Sequence, residues 1–243
     1  MKIIKDNVTL SELYLKELPE ILKGVHIVDG GFYIIRNNLR SLKNSPEKVD
    51  FVFDCSDNKS LTSFIDGPKE VGRVDARNSG FRTLEGFPKV IKRQALYGLN
   101  LGNIDVSGNR LTSLVGLPET VDGTLSIFGN SNLKSLEGCS KVIKVNFEAV
   151  WLPIKNMIGG PVEIEKDCYL NNTAIDSIEG FPEYIGGNLY LGDTPLWDKL
   201  YPYYPTKQNL ETSRQLRQQL LSICYVDGGI YKSRDQYEEP EGV

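Results

Sequence analysis

The sequence predicts a repeat solenoid: short turns stacked along one axis, with a curved parallel β-sheet on the concave side, extended or 3-10 return segments, and little helix except in terminal caps. The first observation is a period. Leu42, Phe64, Leu84, Leu114, Leu136, Met157 and Ile178 hold one place in similar motifs, at intervals of 22, 20, 30, 22, 21 and 21 residues. Random apolar composition rarely keeps such spacing. The second is a shared template around those anchors, seen in FRTLEGFPKVI, LTSLVGLPETV, LKSLEGCSKVI and IDSIEGFPEYI. The third is that one such unit cannot bury its own apolar edge and needs neighbours of the same kind.

The clearest unit is IDVSGNRLTSLVGLPETVDG, residues 104–123. Ile104 and Val106 alternate with polar residues, the two-residue period of a strand with one buried face. Asn109 stands two residues before Leu111, where its amide can turn inward and bond the backbone of adjacent turns. Pro118 suits an extended return, because it fixes φ and carries no amide proton. Residues 30–200 are expected to form the array in this way.

Towards the N-terminus, LKELPEILKG (15–24) matches the second half of a unit without its strand half. Residues 1–29 are therefore expected to cap the stack, with room for a short helix from Thr9 or Ser11. The one long interval holds about nine extra residues, around 93–103 (RQALYGLNLGN). An insertion of this kind is either a displaced loop carrying contacts, Tyr97 among them, or a segment packed on the solenoid flank. Residues 145–156 lack the asparagine, and Trp151 intrudes, which predicts a bulged or reshaped turn. LYLGDTPLWDKL (189–200) reads as a last, degenerate unit.

After Leu200 the composition changes. YPYYP (201–205) is a stiff connection, and Leu210, Leu216, Leu220, Ile223 and Cys224 then approximate one helical face. A helix is expected over about 207–224 within a C-terminal cap spanning 201–243 that ends in an acidic tail. It either covers the end of the stack or binds a partner or second copy.

With these motifs in hand, the chain resembles leucine-rich repeat proteins of the short bacterial and phage type, whose units are similar to LxxLxLxxNxLxxLPxLPxx. Two departures stand out. A glycine replaces the first proline of that pattern at Gly67, Gly86, Gly116, Gly138, Gly159 and Gly180, and threonine replaces the asparagine at Thr173 and Thr194. The resemblance implies a curved solenoid serving as a binding scaffold. It names no ligand.

Composition narrows the function classes. A net charge of −4 leaves no basic footprint for nucleic acid. No apolar run approaches a membrane span, and Asp6, Asn7 and Glu12 interrupt the place of a signal peptide core, so a cytoplasmic protein without membrane contact is expected. The 4 cysteines form no CxxC pair and occupy repeat slots, Cys139 that of Leu117 and Cys168 that of Ile104, as small buried apolar residues do. His26 is the only histidine and has no nucleophile beside it in sequence. No GxxxxGK[ST] loop is present. Neither an enzyme, nor a cofactor, nor a metal site is expected.

The surface remains. Outward strand positions collect Tyr33, Asp75, Arg77, Asp105, Phe128, Glu148, Tyr169 and Tyr190, beside Ser107, Ser126 and Asn171; in the second unit the pair is Val52 and Asp54, or Phe51 and Phe53 if the register slips by one. The aromatics either anchor an interface or cover neighbouring strand edges. The expected function is a non-enzymatic scaffold that engages a protein partner through the concave face, with sequestering or inhibition of a host factor as its purpose. The alternative is an assembly component oligomerising through the C-terminal helix. A monomer is expected before an oligomer.

Overall fold

The alternating apolar pairs stack in register, one above another, and together with the anchor residues and the buried residues of the return segments they build the core. The computed structural model describes residues 1–92, 102–204 and 206–233. Its strands are β1 (Lys2–Ile4), β2 (Val8–Thr9), β3 (Val25–Val28), β4 (Phe32–Tyr33), β5 (Lys48–Asp54), β6 (Glu70–Asp75), β7 (Val90–Ile91), β8 (Ile104–Asp105) and β9 (Thr120–Val121). They continue with β10 (Leu125–Ser126), β11 (Val142–Ile143), β12 (Phe147–Glu148), β13 (Glu163–Ile164), β14 (Cys168–Tyr169), β15 (Tyr184–Ile185) and β16 (Leu189–Tyr190). Helices α1 (Pro195–Leu200) and α2 (Lys207–Ile223) follow, then β17 (Tyr225–Val226) and β18 (Ile230–Tyr231). All pairing is parallel, in a 13-stranded sheet and a 5-stranded sheet. The molecule is a parallel β-solenoid of about 9 turns among the described residues.

Register puts Phe53 beside Phe32, Val74 beside Phe53, and then Ile104, Leu125, Phe147, Cys168, Leu189 and Ile230 in one column. All but Ile230 are fully buried. Each large member contributes about 1.5–3 kcal/mol by leaving water. Phe53 faces inward, so Val52 and Asp54 are the outward pair of that turn. All four cysteines are free and buried. Cys168 does stand in the column of Ile104.

Asparagines tie successive turns together. Asn109 Nδ2 donates to Ala76 O of the previous turn at 2.8 Å and to Val106 O of its own at 2.9 Å, while its Oδ1 accepts from Phe81 N–H at 3.2 Å. Asn58 and Asn130 repeat the arrangement. Ser79, Thr173 and Thr194 retain part of it through one hydroxyl. The residue before each of these, and before Asn37 and Leu152 in the same slot, turns left-handed: Arg36, Asp57, Asn78, Gly108, Gly129, Trp151, Asn172 and Asp193 all have positive φ. Trp151 therefore follows the common turn. The bulge expected over 145–156 does not occur, because Leu152 fills the asparagine slot as a buried apolar residue and Phe147 still pairs in register with Cys168.

A second turn recurs after each anchor. Leu84 O accepts from Phe87 N–H at 2.9 Å and Leu136 O from Cys139 N–H at 2.9 Å, with Gly86 and Gly138 between them at φ 80° and 84°. This is a type II turn, whose third residue must have positive φ. Gly116, Gly159 and Gly180 share the slot. Gly67 does not: in its turn Asp66 takes the left-handed place at φ 64°, as Asn44 does one turn earlier.

The return segments are extended, and they also pair. From β9 to β17 they form the 5-stranded sheet, whereas earlier the two ladders merge, β5 and β6 running through both. Among the described residues the second ladder is interrupted between β7 and β9, since β7 pairs there only with β6. That break coincides with the insertion, of which residues 93–101, Tyr97 included, lie outside the described residues.

Both ends depart from expectation. Val8–Thr9 pairs with β4, and Leu10 N–H donates to Tyr33 O at 2.8 Å, so the N-terminal unit has a strand half. No helix starts at Thr9 or Ser11; the β-branched pair favours strand, and the cap's one short 3-10 turn is Glu20–Leu22. At the other end the array does not stop near 200. α1 starts at Thr194, whose hydroxyl accepts from Trp197 N–H at 3.0 Å, and α2 starts at Thr206, in a capping box with Asn209. The chain then rejoins both sheets through β17 and β18. VDGGIY at 226–231 nearly repeats VDGGFY at 28–33, a signal that predicts this extra turn.

Candidate binding face

Outward residues of the 13-stranded sheet divide into two patches of different chemistry. In the first, Asp54, Asp75 and Asp105 lie side by side on β5, β6 and β8. Asp54 Oδ1 accepts from Ser56 N–H at 3.0 Å and Oγ–H at 2.6 Å, and Asp105 does the same with Ser107 at 3.0 and 2.6 Å. Asp75 between them holds Arg77 Nε at 2.9 Å and Arg73 Nη2 at 3.4 Å, and Arg77 Nε also lies 3.7 Å from Asp105 Oδ2. Arg77 is the counter-ion of the row. Burial opposes its charge, but Asp75, Asp105 and Asp54 outweigh burial and hold the guanidinium above its ordinary value.

Asp75 was expected to point outward as a solvated or partner-facing charge. It is 2% exposed, because both flanking arginines and both flanking aspartates cover it. Burial chiefly, and the Asp75 charge after it, push Asp54 and Asp105 above the usual aspartate range, against the hydrogen bonds from Ser56 and Ser107. A carboxyl whose folded value is raised stabilises the fold fully below its unfolded value and loses that contribution as pH rises through the folded one. Asp54→Asn is therefore expected to raise the melting temperature at neutral pH while changing it little in acid. Equal shifts at both pH values in a thermal unfolding series would contradict this.

The second patch is aromatic. Tyr169 and Tyr190 stack with centroids 4.7 Å apart and an interplanar angle of 1°, and Tyr231 follows Tyr190 at 5.9 Å and 32°. Tyr169 Oη–H donates to Asp167 Oδ2 at 2.9 Å. Tyr190, expected as an exposed anchor, is 3% exposed because Tyr169 and Tyr231 enclose it; its ring contributes to the cross-strand stack instead.

Beside this stack the surface hollows into a cavity of about 430 Å³, lined by Ser126, Phe128, Glu148, Val150, Tyr169, Asn171, Asn172, Asp193 and Ser233. Phe128 is 43% exposed. The cavity thus gathers Phe128, Glu148 and Tyr169, with Ser126 and Asn171, from the sequence-based outward positions and leaves out Tyr33, Asp75, Arg77, Asp105 and Tyr190. Tyr33 lies four strands from the Ser126 strand, about 19 Å away, with its ring against Gly31. Asn172 and Asp193 were missed; both occupy the left-handed column before the ladder residue. Ser233 could be found only by recognising the last turn. Trp151, in that column one turn before Asn172, is 59% exposed; its intrusion into the motif was visible but read as distortion.

Other chemistry is sparse. Among the described residues no cluster of histidine, cysteine, aspartate and glutamate could hold a metal ion, and no helix is long and apolar enough to cross a membrane. Burial pushes the Cys139 and Cys224 thiols up to about 12 and those of Cys55 and Cys168 well above the usual value, so none is a ready thiolate at neutral pH. The half-buried His26 accepts from Lys2 N–H through Nδ1 at 3.3 Å.

By fold and by this face, the protein is a repeat β-solenoid with an aromatic, carboxylate-edged hollow on its larger sheet. Compared with known protein families, with characterised proteins and with solved structures, the chain finds no match in any of the three.

Proposed function

We propose that the protein is a non-enzymatic binding scaffold, akin to the short leucine-rich repeat proteins its motifs resemble, that engages a protein partner through the outward face of the larger sheet. The observation that carries this reading is the hollow itself: Phe128 stays 43% exposed beside Tyr169 and Glu148, although the core does not need it. A large ring at the edge of a hollow is the arrangement that concentrates binding energy in protein interfaces. By the same resemblance the partner is a host factor met in the cytoplasm and held out of action.

Phe128→Ala and Tyr169→Ala are the test. Each is expected to weaken capture of the partner at least about tenfold, with thermal unfolding little changed for Phe128→Ala. Proteins captured from a host lysate by the unaltered chain and by each variant are quantified by mass spectrometry. Equal capture by all three would rule out this face as the binding surface.

A further inference from the structure

The two ends of the stack carry matching halves of one contact. In the apolar column that runs from Val8 through Phe32 to Leu189 and Ile230, only the first and last members are half-buried. Each inner member has a neighbour above and below, and these two have one. Ile4 and Val226, which begin and end the column of the return segments, are half-buried for the same reason. The spacing is the same at both ends, Ile4 to Val8 and Val226 to Ile230, so one pair can sit on the other in register.

Backbone groups complement each other as well. Each turn sends N–H groups forward: Leu189 and Leu191 donate to Gly229 O and Tyr231 O at 2.9 and 3.0 Å, as Val8 and Leu10 donate to Gly31 O and Tyr33 O at 2.8 Å. In the last turn the equivalent donors are Ile230 and Lys232, and among the described residues nothing accepts from their N–H groups. In the first turn the equivalent acceptors are Asn7 O and Thr9 O, which receive no N–H among the described residues. Such an edge is a template for another strand. Two like ends related by a two-fold axis meet antiparallel and break the columns, whereas unlike ends meet in parallel and continue them.

Two further observations make a second copy the occupant. VDGGIY (226–231) nearly repeats VDGGFY (28–33), and the earlier motif is paired on both sides, with β1 and β2 before it and β5 after it. The later one is paired on one side. Charge matches too. Lys144 and Glu165 hold one place in consecutive turns, just after Ile143 and Ile164, and form an ion pair at 2.6 Å. Asp227 holds that place in the last turn and Lys5 in the first, and both are exposed.

We infer that the chain associates head to tail, the last turn of one copy pairing in parallel with the first turn of the next. Ile230 N–H then donates to Asn7 O and Lys232 N–H to Thr9 O, with Val8 on Ile230 and Lys5 beside Asp227. The contact is independent of the binding-face reading, and it repeats that face along one axis. Light scattering on the full chain is expected to give a mass that rises with concentration and passes the dimer, because unlike surfaces leave a free end on every copy. Val8→Lys and Ile230→Lys each put a charge on one end and should hold the chain monomeric. Their mixture should form a dimer and stop there, since each variant keeps one intact end. Asp227→Lys, at an exposed position, is expected to weaken association about fivefold through like charge, and adding Lys5→Asp to it to restore the contact. A constant monomeric mass up to about 1 mM overturns the inference. So does a mixture that stays monomeric, or a dimer that Val8→Lys leaves intact, which places the contact on α2 or on the sheet face instead.

Discussion

Asn58→Ala is expected to lower the unfolding free energy by about 3–5 kcal/mol, far more than an ordinary surface substitution. Asn58 is fully buried. Its Nδ2 donates to Ile34 O in the previous turn at 2.9 Å, and to Cys55 O and Ser56 O at 3.0 and 3.2 Å. Its Oδ1 accepts from Leu39 N–H at 3.2 Å. Alanine leaves Leu39 N–H buried without that acceptor, takes one donor from each carbonyl and opens a void. Each buried group deprived of its partner costs about 1–3 kcal/mol. Thr173→Ala, which removes one hydroxyl bond to Leu170 O at 2.8 Å, should cost only about 1 kcal/mol. Urea unfolding of the two variants measures the difference. Similar losses would mean that the ladder amide does no more than a single hydrogen bond.

The second large effect is at the type II turns. Gly138→Ala is expected to cost about 3–4 kcal/mol or to prevent folding, whereas Gly129→Ala should cost about 1 kcal/mol. Both glycines have positive φ, 84° and 69°. Their surroundings differ. A Cβ at Gly138 would collide with Val115 N and lie 2.6 Å from Val115 Cα, backbone atoms of the preceding turn that cannot rotate away. At Gly129 the nearest atom is Gly108 N at 3.7 Å, an ordinary contact, so only the left-handed conformation is penalised. The pair separates conformational strain from collision between stacked turns. Comparable melting temperatures for the two variants would show that the turns can spread apart, and that their spacing is not held by the glycine column.

The candidate site was partly legible in the sequence. Alternation identified Phe128, Glu148 and Tyr169 as outward residues, since side-chain direction in a strand is a property of position. It could not separate Tyr169 from Tyr190, which hold identical places in consecutive units; one borders the hollow and the other is enclosed, because Tyr190 has the Tyr169 ring on one side and the Tyr231 ring on the other. Asp75 and Asp105 are equally alike in the motif, yet Asp75 is buried by Arg73 and Arg77 and Asp105 is not.

What the sequence determined by itself was the period, the inward and outward sense of the strand residues outside the second turn, where two registers stayed open, and the asparagine ladder, because these are carried by spacings of two to a few residues within one turn. Only the tertiary structure decided that the returns form a second ladder, that the chain rejoins both sheets after α2, and which outward side chains share a hollow. Exposure at one strand is set by the residues at the same position on the strands either side, about 21 residues away in the chain and about 4.8 Å away in space.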